Sequence, residues 1–128
     1  FGEQVRAVGF TRDVAALMSA ATCVIAKPGP GVVAESLSLG KALVIPLFAL
    51  GGSRGVMAQE RAVLDFVEEN EVGVVCKNED ALMALVSSVQ GRDSLQRMSE
   101  NAGKLPPNRA VYEVVDFLRT MRVQTAFA

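Results

Sequence analysis

One stretch of this 128-residue chain carries residue types able to hold a phosphorylated ligand: Val24-Ile25-Ala26-Lys27-Pro28-Gly29-Pro30-Gly31-Val32-Val33-Ala34-Glu35. An apolar run that reads as a buried strand stops at a Pro/Gly turn and passes into a helical pattern. Glycine lets a backbone approach a ligand, and a helix start offers unpaired N–H groups and the positive end of the helix dipole. A strand, glycine turn and helix in that order is a phosphate- or diphosphate-holding device of α/β proteins. Pro28 and Pro30 have no N–H, so the expected donors are Gly29, Gly31, Val32 and Val33. Lys27 adds a cation beside them. Glu35, about one turn into the helix, supplies a carboxylate that can accept from two adjacent ribose hydroxyls. The plainer alternative is that Glu35 complements the helix dipole.

Other chemistries fit less well. Gly29-x-Gly31-x-x-Ala34 satisfies the dinucleotide fingerprint, but that motif needs an acid about 20 residues on, at the end of the next strand. No acidic residue lies between Glu35 and Glu60. No Gly-Lys-Ser/Thr follows the turn, so it is not a P-loop. Histidine is absent, which removes the commonest general base and zinc ligand together. No metal-ligand cluster and no cofactor are expected. Cys23 and Cys76 each lie in an apolar strand-like run without C-x-x-C spacing and read as buried free thiols. A net charge of −1 gives nucleic-acid binding no electrostatic support. No apolar run approaches the roughly 20 residues of a membrane span.

The elements that must position these residues follow from the hydrophobic periodicity. Apolar, β-branched runs at residues 5–10, 22–26, 42–46 and 72–76 predict strands. Helical patterns occupy residues 11–21, 31–39, 59–71, 79–89, 93–104 and 109–123. Their alternation predicts an α/β fold with an open parallel sheet covered on both faces. Strand ends near Phe10, Lys27, Pro46 and Lys77 should line one crevice. Thr11 and Asn78 read as helix N-caps, Gly40 and Gly91 as helix stops, and Pro106-Pro107 as a break. Residues 47–58, with Gly51, Gly52 and Gly55, form the one long irregular segment. A content of 50% hydrophobic residues fits one domain over residues 1–128. The chain starts at Phe1 and is expected to be a fragment of something longer.

The order Val8-Gly9-Phe10-Thr11, Lys27-Pro28-Gly29-Pro30-Gly31-Val32-Val33-Ala34-Glu35, Gln59-Glu60 and Val72-Gly73-Val74 resembles the nucleotide-sugar half of two-Rossmann-domain (GT-B) glycosyltransferases. It looks most like monogalactosyldiacylglycerol synthases and the related bacterial diacylglycerol glucosyltransferases. Residues 95–102 and 110–115 resemble the helices that follow the sheet in that group. The resemblance implies that Phe10 and the Thr11 backbone cap and hydrogen-bond uracil. It implies further that residues 29–32 hold the diphosphate, Glu35 the ribose, and Gln59 with Glu60 the hexose. The plainer alternatives are that Phe10 is a core aromatic at a strand end and Gln59-Glu60 ordinary first-turn residues.

The implied reaction moves a galactose or glucose from a UDP-sugar to diacylglycerol at a cytosolic or plastid-envelope membrane surface. UDP-sugar and lipid acceptor are the implied partners. The general base and the acceptor site are expected in an N-terminal domain outside this chain, and the half-domain's first strand before Phe1. The last helix's Val111, Val114, Val115 and Leu118 would be core or interdomain surface. The chain departs from the family at Met57-Ala58, where Pro-Gly is usual, at Val63, where asparagine is common, and in a longer 47–58 loop. Those departures leave the hexose and retained turnover open. Two other UDP-N-acetylglucosamine readings share this half-domain, a peptidoglycan-type and a dolichol-type lipid-linked transferase, and a non-enzymatic scaffold would keep the fold alone.

Overall fold

The computed structural model describes residues 5–125; residues 1–4 and 126–128 of the expected domain lie outside them. Three strands, β1 (Cys23–Ile25), β2 (Ala42–Pro46) and β3 (Gly73–Cys76), form an open sheet in the order β1-β2-β3. Both pairings are parallel, with Cys23 opposite Ala42 and Pro46 opposite Cys76. The helices are α1 (Val14–Ala20), α2 (Pro30–Ser38), α3 (Arg61–Glu69), α4 (Glu79–Ser87), α5 (Val89–Lys104) and α6 (Ala110–Thr125). The α/β fold with an open parallel, Rossmann-like sheet is therefore as the sequence predicts.

The central strand explains why this sheet forms. Ala42, Leu43, Val44 and Ile45 are all 0% exposed, the all-apolar pattern of a parallel strand covered on both faces. Leu43 and Ile45 point to one side, among Val33 of α2, Val67 of α3 and Ala102 of α5. Ala42 and Val44 point to the other, with Cys76, Leu95 of α5, and Leu82 and Leu85 of α4. Burying each of Leu43, Val44 and Ile45 stabilises the fold by about 1.5–3 kcal/mol. At the amino edge of the sheet, the Ser99 hydroxyl of α5 accepts from the Ala42 N–H at 3.0 Å and donates to the Thr22 carbonyl at 3.3 Å. One side chain thus pins α5 to both β1 and β2.

Four expectations need correction. Residues 5–10 do not form a strand: Val5, Val8 and Phe10 are exposed, and none of the described strands pairs with them. A β-prone run becomes a strand only against a partner edge. Thr11 does not cap a helix beginning at once; α1 starts at Val14, and the Thr11 hydroxyl accepts from the Asp13 N–H at 3.0 Å. Gly91 stops nothing. It lies within α5, whose cap is Ser88, with the Ser88 hydroxyl accepting from the Gly91 N–H at 2.9 Å. The glycine is needed because a Cβ there would run into the Leu85 carbonyl of α4. Lastly, of the two expectations for the apolar face of α6, core or interdomain surface, the first fails: Val111, Val114, Val115 and Leu118 are all exposed.

Other punctuation matches. The Asn78 side chain accepts from the Ala81 N–H at 2.8 Å and caps α4, with Glu79 and Asp80 in its first turn. Gly40 ends α2 at φ +63°. Helix α5 ends at Lys104, just before Pro106-Pro107. The 47–58 segment is not featureless but winds through short 3₁₀ turns at Leu47–Leu50, Gly52–Gly55 and Ala58–Glu60. Gly51 and Gly52 take φ of +80° and +68° there, which only glycine adopts without cost.

Candidate functional site

Because all three strands are parallel, their carboxyl ends meet at one edge, and the β1–α2 turn leaves from it. The Ala26 N–H donates to the Val44 carbonyl at 3.0 Å, carrying the ladder one residue past β1. The chain then tightens, with Gly29 N–H donating to the Lys27 carbonyl at 2.8 Å over a buried Pro28. Gly29 is the N-cap of α2 at φ −70°, ψ 137°, and its side cannot cap. Pro30 occupies the first helical position, where a missing N–H costs nothing.

The accounting of donors narrows the sequence reading. Gly29 N–H is spent on Lys27, and Val33 N–H donates to the Gly29 carbonyl at 3.1 Å. Among the described residues, no acceptor meets the N–H groups of Gly31 and Val32. These two, at the positive end of α2, are the donors left for an anion. Lys27 lies beside them: its Cε is 3.7 Å from where a Cβ on Gly29 would stand.

Glu35 is the sixth residue of α2, just beyond the first turn. Dipole complementation fades over that distance. Its carboxylate is exposed and has no hydrogen bond or ion pair among the described residues. Residues four and three apart share a helix face, and side chains lean toward the N-terminus. Glu35 therefore stands on the Gly31/Val32 side of α2, while Val33 and Ser36 are buried against the protein.

The structure also brings Glu60 to this turn, in a way spacing does not reveal. Its side chain is only 4% exposed, with Oε2 accepting from the Met57 N–H at 3.2 Å and Oε1 lying 3.7 Å from the Lys27 ammonium. Gln59, next to it, is exposed and donates only a weak contact to the Met57 sulfur at 3.4 Å. Met57 three residues before Glu60 lacks the hydroxyl of a capping box, so only half of that signature was visible. Phe10 is not a core aromatic: it is 97% exposed. No hydrogen bond or ion pair ties it or Thr11 to the β1–α2 turn. The turn thus gathers Lys27, Gly29, Gly31, Val32, Glu35 and Glu60.

Among the described residues there is no cluster of three or more His, Cys, Asp or Glu able to hold a metal ion. No helix among them is long and apolar enough to cross a membrane. Both cysteines are free, Cys76 buried and Cys23 half-buried, and burial pushes both thiols above their ordinary pKa. A groove of about 890 Å³ between α2, α3 and the start of α6, floored by Leu37, Phe66 and Ala102, includes none of the candidate ligand residues.

No family model matches the chain. It is similar to curated proteins, however. One is the probable monogalactosyldiacylglycerol synthase 3, chloroplastic, of Oryza sativa subsp. japonica, 34% identical over 113 residues, covering 87% of this chain and 21% of that protein. Monogalactosyldiacylglycerol synthase 3, chloroplastic, of Arabidopsis thaliana is 30% identical over 113 residues, covering 87% of this chain and 23% of its own length. The Spinacia oleracea monogalactosyldiacylglycerol synthase, chloroplastic, is 30% identical over 125 residues, or 96% of this chain and 23% of that protein. The chain thus spans between a fifth and a quarter of the length of these relatives.

Proposed function

Starting from this likeness to monogalactosyldiacylglycerol synthases, we propose that the chain is the donor-binding half of a glycosyltransferase that moves galactose from UDP-galactose to diacylglycerol. The observation that carries the reading is the β1–α2 turn. Two unmet N–H groups at a helix start, a lysine beside them and an unpartnered carboxylate on the same helix face match a diphosphate flanked by a ribose. Gly31 and Val32 hold the diphosphate, Lys27 shares its charge, and Glu35 accepts from the vicinal ribose hydroxyls. The exposed amide of Gln59 is available to the hexose. The exposed Phe10 ring and the Thr11 backbone are available to uracil.

In the transfer, the acceptor hydroxyl attacks the anomeric carbon, the bond to the diphosphate breaks, and UDP leaves with its charge held by the turn. The hydroxyl proton goes to a base that this chain does not supply; base and lipid site belong to an N-terminal acceptor domain. The donor needs no resident metal or cofactor in this scheme. The lipid acceptor places the protein peripherally on a cytosolic or plastid-envelope membrane, in keeping with the chloroplastic relatives.

Calorimetry with UDP and 2′-deoxy-UDP, on the unaltered protein and on Glu35→Ala, tests this. A hydrogen bond to a charged acceptor is worth about 1.5–3 kcal/mol. Glu35→Ala should therefore weaken UDP by at least that amount, weaken 2′-deoxy-UDP, which keeps its 3′-hydroxyl, by less, and barely alter melting. Equal affinities throughout would remove Glu35 from the site. Competition among UDP-galactose, UDP-glucose and UDP-N-acetylglucosamine identifies the sugar.

A further inference from the structure

We propose that Glu60 is a resident counter-ion of Lys27 that competes with the nucleotide diphosphate for it, and so limits how tightly UDP is held. This rests on the donor-site reading above and adds a control to that same site. The two partners are unequal. Glu60 is fixed: its side chain is 4% exposed and Oε2 is tied to the Met57 N–H at 3.2 Å. Lys27 is 62% exposed and free to swing. Their 3.7 Å separation is well beyond the roughly 2.7–2.9 Å of a charge-assisted hydrogen bond, so the pair is held by charge alone. Glu60 Oε1 is accordingly buried with no hydrogen-bond donor.

A buried acceptor left without a donor is a costly arrangement that invites an explanation in function. Here the explanation is exchange. With the site empty, Lys27 neutralises Glu60 and is itself neutralised. When a diphosphate reaches the Gly31 and Val32 N–H groups, it offers Lys27 a better-exposed and more highly charged partner. The lysine turns to it, and Oε1 is left open to a hydroxyl of the hexose. Because Glu60 pulls on Lys27 throughout, it weakens the hold on UDP and favours its release after transfer. Glu60 thus acts on the nucleotide through Lys27, as a positioning residue.

The sign of the effect separates this from other roles. A carboxylate that only binds the hexose leaves UDP affinity untouched, and one that merely holds Lys27 in place lowers it on removal. A competitor raises it. The test is UDP titration calorimetry on the full-length protein and on Glu60→Gln, Lys27→Met and the double variant, with melting curves for each. Glu60→Gln keeps an oxygen for the Met57 N–H while losing the charge. It should bind UDP about tenfold tighter, and Lys27→Met about tenfold weaker, each the scale of one charge-assisted contact. In the double variant the gain should vanish, because the residue competed for is gone. If Glu60→Gln does not fold, Glu60→Asp, which draws the carboxylate back from Lys27, should give the same tightening. Unchanged or weaker UDP binding by the Glu60 variant, or a gain that persists without Lys27, overturns the proposal. Failure of the unaltered protein to bind UDP is a different result, and refutes the donor site itself.

Discussion

A Cβ added at Gly31 would meet no atom within 4 Å, and the residue sits in α2 without the positive φ that reserves a position for glycine. The fold itself therefore does not require glycine there; the proposed ligand does. Gly31→Val is expected to fold with unchanged or slightly higher stability, since glycine is a poor helix residue. Its side chain would stand where the diphosphate must approach. UDP binding should fall by more than about 100-fold, the loss of at least two contacts to a charged group, while uridine loses far less. Chelator should leave UDP binding by the unaltered protein intact. Normal UDP affinity in Gly31→Val would show that the phosphate lies elsewhere. At this scale the sequence was legible where chemistry is local: Gly29, Pro30 and Gly31 announce a helix start with few capping groups. The pairing of Glu60 with Lys27 was not, because the two lie more than 30 positions apart in the chain.

Between α3 and β3 the chain turns at Glu71, which has φ +51°, the single positive value outside glycine among the described residues. Glu71 N–H donates to the Glu68 carbonyl at 3.1 Å, and its own carbonyl accepts from the Asn101 side chain at 3.2 Å. Both bonds use the backbone, and the side chain is exposed. The left-handed conformation costs a residue with a Cβ about 1–2 kcal/mol. Part of that is returned when glycine's extra freedom in the unfolded chain is counted. Glu71→Gly should therefore raise unfolding free energy by about 0.5–1 kcal/mol in urea titration; a loss of stability would mean that the Glu71 side chain holds the junction. The elements themselves were readable from periodicity and caps, as Asn78 before α4 shows. Gly91 was misread because its reason is the Leu85 carbonyl of a neighbouring helix, not the end of its own.

Across the whole molecule, the two thiols report how well the sheet is closed. Burial raises the pKa of Cys23 and Cys76, so the folded state favours their protonated forms. The stability this contributes is fully present below the pKa of the unfolded thiols. It is lost as pH rises through the higher folded values. Melting temperature should accordingly decline on the alkaline side of pH 9, and less so in a Cys23→Ala, Cys76→Ala variant. At neutral pH, Cys76, 2% exposed, should be alkylated only as fast as the protein opens, and Cys23 somewhat faster. Immediate alkylation of Cys76 would contradict the packing between β3 and α5.

The sequence by itself determined the alternation of strands and helices from residue 22 on, the all-apolar β2, the buried Cys76 and the glycine-proline turn that begins α2, because each depends on residues near one another in the chain. Tertiary structure decided the rest. Residues 5–10 have a strand's composition but no edge to join, and α6 has an apolar face that no described element covers. Which N–H groups stay free at the turn, and which carboxylate is buried beside Lys27, were likewise settled only by folding. Pairing, burial and charge partnership join residues distant along the chain, and no local pattern of residue types can specify which of them will meet.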